Sequence, residues 1–372
     1  MPVREFIELV APAPGVSCRV AVQRYGGPGR GPKAYIQAAL HADEVPALLV
    51  AQHLVACLSA LEAQGRIAGE IVLVPAANPI GLAQRLLGQH EGRFDLRDGL
   101  NFNRGFAELG AAAAERVKGR LGDDAARNVA LVREALRESA QALSAATPAQ
   151  DLKRRLLQLA IDADTVLDLH CDGEAEMHLY AMASQRETAA ELGALLGARA
   201  VLLADESGDS PFDEACSRPW AVVRQALGAS ALPLACFATT VELRGQADVD
   251  HRLAAQDAEA IVEFLRRRGV VSGTPAPLPA PLCEPTPLAG SEPIEAPHAG
   301  VVVYRADLGT QVQAGQPVVD LVDAASGAVT TLAARSSGRF YARVPTRWAA
   351  PGQRLGKIAG TALVRTGKLL SP

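Results

Sequence analysis

Short apolar runs alternate with longer Ala- and Leu-rich segments over residues 1–270. Short runs of apolar and β-branched residues are typical of buried strands, whereas apolar residues spaced three and four apart are typical of helices. The runs predict strands over residues 19–24, 33–40, 70–75, 165–169, 177–181 and 234–242, and the longer segments predict helices over 45–63, within 123–160, over 186–197 and over 251–268. This alternation predicts a layered α/β domain.

The pattern changes after residue 271. Residues 272–297 contain Pro at a density that is incompatible with a helix and leaves no core-forming pattern, so an extended linker is predicted there. Residues 298–372 carry short Val-rich runs separated by Gly, which predicts a small all-β module, a barrel or a sandwich. The sequence therefore predicts two folded units, 1–271 and 298–372, joined by the linker.

Composition narrows the class of protein further. Of 372 residues, 49% are hydrophobic, 21% are charged and 4% are aromatic, so a large core built mainly from Ala, Leu and Val is predicted and global disorder is excluded. The 41 acidic residues and 37 Lys and Arg residues give a net charge of −4 with no long basic run, so nucleic acid is not expected as a partner.

The chain also lacks the patterns of a membrane or secreted protein. The longest apolar stretch, 45–61, is interrupted by Gln52 and His53 and is too short to span a bilayer, so no membrane partner is expected. The first ten residues include charged side chains and no apolar signal segment. The six cysteines show no CxxC spacing, which argues against a disulfide framework. We therefore expect a cytoplasmic protein.

Three residues with metal-binding side chains stand where predicted strands end. His41 and Glu44 come directly after one strand and before a helix, three positions apart, so both side chains can point the same way. His170 ends another apolar run. Because sites in open α/β sheets form at the carboxyl edge of the strands, these side chains are candidates for one metal site. Two His and one Glu with an open fourth position are the ligand set of a catalytic zinc ion.

The spacing alone does not connect His41 and Glu44 with the distant His170. A single His and Glu three positions apart also occurs by chance in many chains of this length. From residue types alone, a zinc site and a set of ordinary buried polar residues both stay open.

Further motifs follow in a fixed order. His41-Ala-Asp-Glu44 is followed by Asn78-Pro79, by Gly-Arg93-Phe with Asn101-Phe-Asn103-Arg104-Gly-Phe106, by Asp168-Leu-His170 and by Thr240-Val-Glu242. In this order, over residues 15–270, the chain resembles the succinylglutamate desuccinylase/aspartoacylase family, zinc hydrolases related to the carboxypeptidases. The resemblance implies a mixed sheet flanked by helices, as in zinc carboxypeptidases.

The resemblance also implies a catalytic centre. His41, Glu44 and His170 correspond to the ligands of one zinc ion per chain. Glu242 corresponds to the general base that activates the attacking water. Its place at the end of an apolar run fits this role, because burial raises the pKa of a carboxyl towards values useful for a base.

The resemblance also implies that residues between the two ligand motifs, 41–44 and 168–170, bind the substrate. Arg104, with Asn103 beside it, is similar to the family's binder of a substrate carboxylate, and Arg93 is similar to its stabiliser of the developing oxyanion. A guanidinium suits the first role because it forms bidentate bonds to a carboxylate that Lys cannot match. The alternative for each arginine is a structural salt bridge.

Two more residues are candidates for supporting roles. Asp168 is expected to orient a ligand or the neighbouring backbone, because metal-bound His commonly requires such a partner. His178 lies on the next predicted strand after His170 and is a candidate substrate contact, with a packed histidine as the alternative.

The C-terminal module resembles the biotinyl/lipoyl barrel over residues 296–303 and 309–318, where Gly residues set the turns of a flattened β-sandwich. The hairpin that should carry the attachment Lys reads Asp323-Ala-Ala-Ser-Gly327. Without that amine nothing can be attached. We therefore expect a lid, a packing element or an oligomerisation surface, which leaves a homo-oligomer open.

The combined prediction is a cytoplasmic zinc-dependent amidohydrolase, a deacylase that cleaves the amide bond of an N-acyl amino acid or a related small amide. A carboxypeptidase-like peptidase stays open, because it uses the same zinc chemistry. The rival class is a non-catalytic metal-binding or interaction protein, which would have no need of a carboxylate base opposite the metal.

Overall fold

A computed structural model describes residues 3–369 of the chain. Its α-helices are α1 (Pro46–Ala63), α2 (Pro79–Leu82), α3 (Gly110–Val117), α4 (Ala125–Gln141), α5 (Pro148–Ala160), α6 (Arg186–Leu196), α7 (Phe212–Ala226) and α8 (His251–Arg267). Its first strands are β1 (Val3–Glu8), β2 (Arg19–Gly26), β3 (Lys33–Ala38), β4 (Glu70–Val74), β5 (Arg85–Leu86), β6 (Gln89–His90), β7 (Thr165–Asp172), β8 (Glu174–Ala175), β9 (His178–Ala181), β10 (Ala200–Leu203), β11 (Phe237–Gly245) and β12 (Thr286–Pro287). The later strands are β13 (Ser291–Glu295), β14 (Gly300–Tyr304), β15 (Gln311–Val312), β16 (Pro317–Val322), β17 (Val329–Ala333), β18 (Gly338–Arg343), β19 (Trp348–Ala349) and β20 (Arg354–Ala359).

A nine-stranded sheet forms the centre of the larger part of the molecule, in the order β1-β2-β4-β3-β7-β11-β9-β10-β12. β4, β3, β7 and β11 run parallel to one another, β9 is antiparallel to β11, and β2 is antiparallel to β1 and β4. The sheet is therefore mixed, and the predicted fold class is confirmed. Central parallel strands are buried on both faces, which is why β3, β4 and β7 stand out in the sequence as apolar runs.

Helices cover both faces of this sheet. One apolar core contains Leu54 of α1, Leu192 of α6 and Ile261 of α8. The core on the other face contains residues of α3, α4, α5 and α7, among them Leu136 and Trp220. The sheet is thus the middle layer of three, as the alternating pattern predicts.

Helix α1 is long and apolar enough to cross a membrane when only length and composition are considered. By that criterion, the expectation that this stretch is too short is wrong. However, α1 packs against α8, and its buried residues, including Val50 and Leu58, belong to the core on one face of the sheet. This packing is that of a core helix.

Some elements differ from the prediction where local chemistry interrupts the pattern. β3 ends at Ala38, two residues before its predicted end, because Ala39 takes a left-handed φ of 58°. The Ala39 N–H still donates to the carbonyl of Leu169. The helical stretch within 123–160 is two helices, and Thr147 caps the start of the second. α7 has no counterpart in the prediction because Pro219 lies inside it, where Pro normally argues against a helix.

The chain from β13 onward forms two antiparallel sheets. One has the order β13-β20-β18-β15 and the other has the order β17-β16-β14-β19. Val302, Val319 and Phe340 belong to the apolar core that the two sheets share. The turn Asp323–Gly327 joins β16 to β17, with the Gly327 N–H donating to the Asp323 carbonyl. An all-β sandwich is thus present where the sequence predicts one.

The predicted linker, 272–297, is only partly irregular. Residues 274–281 form neither helix nor strand and are exposed, whereas β12 pairs with β10 of the central sheet and β13 pairs with β20. Two further contacts join the larger part to the sandwich: β8 pairs with β18, and Lys357 forms an ion pair with Asp172. The division of the chain into separate domains at residues 271 and 298 stays a prediction.

Candidate functional site

The carboxyl ends of β3, β7 and β11 meet at one edge of the central sheet. The turn between β3 and α1 carries His41 and Glu44, and β7 carries His170. β11 carries Glu242, which is paired with His170 across the two strands. All four residues line a cleft of about 910 Å³, including the part that is open to solvent. The parallel order of the strands thus gathers residues that are far apart in the sequence.

His41, Glu44 and His170 form one buried group, and their potential ligand atoms all lie within 4.8 Å of one another. Oε1 of Glu44 lies 2.9 Å from Nδ1 of His41, and Oε2 lies 2.7 Å from Nδ1 of His170. The Cys171 N–H also donates to Oε2, at 3.1 Å. The structure therefore brings together the three residues predicted as metal ligands, with both Nδ1 atoms facing the same carboxylate.

The other ring nitrogens are held from outside this group. Nε2 of His41 lies 2.8 Å from Oδ1 of Asn101. Nε2 of His170 lies 2.9 Å from Oδ2 of Asp168 and 3.3 Å from Nδ2 of Asn103. The nearest atom to each Nε2 is thus an acceptor oxygen, which favours the tautomer that carries its proton there and leaves Nδ1 unprotonated for a metal. Gln37 in turn donates to Asp168, at 2.9 Å. These contacts fit a divalent metal ion held by the two Nδ1 atoms and the carboxylate between them.

Electrostatics keep the Glu44 carboxylate ionised. Burial opposes its charge, but the imidazoles of His41 and His170 outweigh burial and hold the pKa of Glu44 well below its usual range. Burial, together with the Arg93 guanidinium, lowers the pKa of His41. Burial also acts to lower the pKa of His170, but the carboxylates of Asp168 and Glu44 dominate and raise it well above its usual value. The carboxylates on two sides of the His170 ring therefore favour a positive charge at this ring.

Glu242 lies in the same cleft. Its Oε2 is buried, and no described residue donates a hydrogen bond to it. Burial, reinforced by the Glu44 carboxylate, raises the pKa of Glu242 to about 8. A carboxyl with a pKa near neutrality takes up and releases a proton readily near pH 7, which is the property that a general base requires.

Three further predicted residues, Arg93, Asn103 and Arg104, line the cleft. Nη1 of Arg93 lies 3.2 Å from Oε1 of Glu44, so its guanidinium borders the candidate metal site. Asn103 is held in place because its Oδ1 accepts a hydrogen bond of 2.9 Å from the N–H of Phe212. Arg104 donates to the carbonyl of Asn103 at 2.7 Å.

His178 does not lie where a substrate contact requires it. Its side chain is fully buried and does not line the cleft. Nδ1 lies 2.8 Å from the carbonyl oxygen of Glu176, and the ring meets that of Tyr341 edge-on, with 4.9 Å between centroids. Burial lowers the pKa of His178 to about 4, so the ring is neutral near pH 7. The structure shows a packed histidine, which is the alternative that the sequence left open.

The C-terminal sandwich completes the cleft, with the side chains of Tyr341, Arg354, Lys357 and Arg365 in its lining. Lys357 reaches across to Asp172, which follows the ligand motif on β7. None of these residues has a role predicted from the sequence. They lie far along the chain, and no motif marks them as belonging to the site.

Two residues of the larger part were also without a predicted role. Asn101 stands in the same motif as Asn103, and that proximity is the signal that could have indicated it. Asp213, at the start of α7, lines the cleft, and burial next to the carboxylate of Glu214 raises its pKa to about 7. No motif contains Asp213.

Fold and site together define an α/β protein with a mixed central sheet. The edge of this sheet carries a buried His-Glu-His group that could hold a metal ion, beside a glutamate with a raised pKa. The sequence profile of the succinylglutamate desuccinylase/aspartoacylase catalytic domain matches residues 30–268. The chain therefore belongs to the succinylglutamate desuccinylase/aspartoacylase family of hydrolases, as its motifs indicated.

Solved structures agree with this assignment. A succinylglutamate desuccinylase/aspartoacylase family protein from Shewanella amazonensis SB2B has a TM-score of 0.83 at 28% identity, over 96% of this chain and 98% of that chain. A second, from Shewanella frigidimarina NCIMB 400, has a TM-score of 0.83 at 25% identity, over 96% and 97%. The product-bound ectoine utilization protein EutE (DoeB) from Ruegeria pomeroyi shares the fold, with a TM-score of 0.68 at 16% identity, over 96% and 94%. A comparison with curated proteins finds no match.

Proposed function

We propose that this chain is a zinc-dependent amidohydrolase that removes the acyl group from an N-acyl amino acid or a related small amide, with water as the nucleophile. One observation carries the proposal: the buried carboxyl group of Glu242, with its raised pKa, shares a cleft with the His41, Glu44 and His170 group. A protein that only bound a metal would gain nothing from a costly buried carboxyl in that position.

The metal is assigned to His41, Glu44 and His170, with Asp168 and Asn101 orienting the two rings. A zinc ion held there would polarise the scissile carbonyl and lower the pKa of the attacking water. Two His and one Glu are the ligand set typical of a catalytic zinc ion.

Glu242 takes a proton from the attacking water and delivers it to the leaving amine. Its burial supports this role, because burial raises the pKa of the carboxyl to about 8, close enough to neutral pH for it to accept the proton of the water and release it to the amine.

Arg104 and Arg93 are assigned to the substrate. Arg104, fixed against the Asn103 carbonyl, offers a guanidinium to a substrate carboxylate, and Asn103 supports it. Arg93 borders the metal site and is assigned to the oxygen of the scissile carbonyl, where negative charge develops. His178 has no part in the proposal.

The substitution Glu242→Gln tests the assignment, because it keeps the size of the side chain and removes its basicity. We expect the variant to retain about one zinc per chain and much of its substrate affinity while kcat falls by at least about 10²-fold. Metal content, and kcat and KM on a panel of N-acetyl and N-succinyl amino acids, are the measurements. Glu70→Gln, at the amino end of β4, is the matched control and is expected to leave kcat unchanged.

Other outcomes separate the alternatives. Loss of zinc in Glu242→Gln would make Glu242 a ligand, and a normal kcat with zinc retained would remove it from catalysis. Hydrolysis of short peptides in place of N-acyl amino acids would make the protein a carboxypeptidase-like peptidase. If the zinc-loaded wild type hydrolyses neither peptides nor N-acyl amino acids, the non-catalytic metal-binding or interaction protein is the remaining alternative. The cytoplasmic location and a homo-oligomeric state stay predictions of the sequence.

A further inference from the structure

The central sheet has an open edge at β1. Among residues 3–369, β1 pairs with β2 alone, so its other edge meets no strand of the described chain. The strand is six residues long, and two of its apolar residues, Val3 and Phe6, are 62% and 47% exposed. Such an edge carries unpaired N–H and C=O groups, which can bind a further strand.

The register of β1 with β2 determines which backbone groups lie at this edge. The Leu9 N–H donates to the carbonyl of Cys18 at 2.9 Å, and the antiparallel pairing continues along β1 without a bulge. In an antiparallel pair, residues that bond to the partner strand alternate with residues whose N–H and C=O groups point away from it. Since Leu9 bonds to the β2 side, the N–H and C=O groups of Arg4, Phe6 and Glu8 face the open edge.

One face of β1 carries a cation, an aromatic ring and an anion at alternate positions. The side chains of Arg4, Phe6 and Glu8 share this face, because residues two apart lie on the same side of a strand, and all three residues are exposed. The central guanidinium carbons of Arg4 and Arg19 lie 5.2 and 4.5 Å from the centroid of the Phe6 ring. In the part of the chain that the structure describes, Arg4 and Glu8 form no ion pair. Both charges can therefore pair with groups on a neighbouring strand.

This pattern is complementary to itself. When a second copy of β1 lies antiparallel to the first, with a two-fold axis at Phe6, the two Phe6 rings are opposite each other and each Arg4 is opposite the Glu8 of the other copy. These are the residues with outward backbone groups, so each opposite pair also exchanges both of its N–H···O bonds. A shift of the register by two residues places Phe6 opposite Arg4 or Glu8 and separates the opposite charges. Cross-strand pairs of opposite charge are stabilising, so the pattern favours the register centred on Phe6.

We propose that the open edge of β1 is a homodimer interface, in which two copies of the chain join their central sheets by antiparallel pairing of β1 about Phe6. Such a two-fold contact uses the same surface of both copies and closes after two chains. β2 and β4 lie between β1 and β3 in the sheet, and no residue of β1 lines the cleft, so the interface leaves the candidate site open. The inference does not depend on the proposed function.

Exchange of the two charges tests the pairing. Sedimentation equilibrium of the full chain should give twice the mass of one chain. Glu8→Arg places Arg opposite Arg, and Arg4→Glu places Glu opposite Glu, so each variant should raise the Kd of the dimer at least about 10-fold. An equimolar mixture of the two variants should form a heterodimer with a Kd near that of the wild type, because each Arg then lies opposite a Glu. The double variant Arg4→Glu/Glu8→Arg should dimerise by itself for the same reason.

A backbone variant tests the edge itself. Phe6→Pro removes an N–H that faces outward and leaves the hydrogen bonds between β1 and β2 in place, and Pro is tolerated on an edge strand at such a position. We expect a folded monomer, with a far-UV circular dichroism spectrum like that of the wild type. Glu115→Arg is the control for a reversed surface charge, because Glu115 is an exposed residue of α3, and this variant should stay dimeric.

Several outcomes would overturn the proposal. A wild type that stays monomeric at about 100 µM would show that the edge does not bind a second copy. A dimer that persists unchanged in Glu8→Arg, Arg4→Glu and Phe6→Pro would place the interface elsewhere, and so would loss of the dimer in Glu115→Arg. Charge variants that stay monomeric after mixing would refute the pairing of Arg4 with Glu8.

Discussion

In the candidate metal site, the atom next to Nε2 of each histidine determines which ring nitrogen carries the proton. Each ring has its Nδ1 against Glu44 and its Nε2 against an oxygen, from Asn101 for His41 and from Asp168 for His170. Because the outer oxygen attracts the ring proton, the inner nitrogen is left as a donor for a metal. Asp168 and Asn101 therefore contribute to the site without contacting the substrate.

His178 leads to a prediction about pH and stability. Burial lowers its pKa to about 4, and the ring lies near the Asp172 and Lys357 ion pair. Above pH 6.5 the ring is neutral in both the folded and the unfolded chain. Between pH 6.5 and pH 4 the unfolded chain binds a proton that the folded chain does not, so the free energy of unfolding falls as the pH falls, by about 2 kcal/mol at pH 5.

The variant His178→Phe removes the titrating group and keeps an aromatic ring in the same space. Its free energy of unfolding should therefore fall less than that of the wild type between pH 7.5 and pH 5, by about 2 kcal/mol. Denaturant unfolding at the two pH values measures the difference. Equal losses in the two proteins would mean that His178 is protonated in the folded state.

At the scale of structural elements, the turn that carries two of the proposed ligands depends on a close contact with the segment after β6. The Ala42 N–H donates to the carbonyl of Gly92, at 3.0 Å. A Cβ atom on Gly92 would lie 2.2 Å from the backbone nitrogen of Asp43 and 2.6 Å from the carbonyl carbon of Ala42. Only a residue without a side chain fits there, because backbone atoms cannot move aside as the end of a flexible side chain can.

We predict that Gly92→Ala displaces this turn and lowers the affinity for zinc by about 10- to 100-fold, the range typical of changes just outside a metal's ligands. Competition with a chelator measures the affinity. Gly122→Ala is the control, since nothing lies within 4 Å of the position that its Cβ would take. Wild-type affinity in Gly92→Ala would show that the turn adjusts without moving His41 or Glu44.

At the scale of the whole molecule, the two parts are held together by more than the chain that connects them. β8 pairs with β18, and Glu174 on β8 pairs with Arg343 at 2.6 Å and with Arg347 at 2.7 Å. Asp172 and Lys357 add a further ion pair. Residues 274–281, in contrast, are exposed and form no helix or strand.

We therefore predict that the chain can be cut in this exposed segment without separating its parts. A recognition site for a specific protease, inserted between Pro277 and Leu278, should be cleaved readily, because exposed irregular backbone fits a protease active site. The two fragments should then elute together in size-exclusion chromatography under native conditions. Separate elution would show that the strand pairing and ion pairs between the parts are too weak to hold them.

The sequence by itself determined the central strands, several of the helices that flank them and the core of the candidate site. The apolar runs of β3, β4 and β7 are visible because strands buried on both faces need apolar residues at every position. The ligand motifs stand at the ends of such strands, so the sheet edge where they meet follows from the fold class. These features depend on residues that are close together in the chain, and local patterns record them.

Tertiary structure alone decided the rest. Whether His178 faces the cleft or the interior depends on the strands and the Tyr341 ring packed around it. Arg365 and Lys357 belong to the cleft only because the sandwich docks against the central sheet through β8 and β12. Such positions are set by contacts between distant segments, and no periodicity or motif within one segment encodes them.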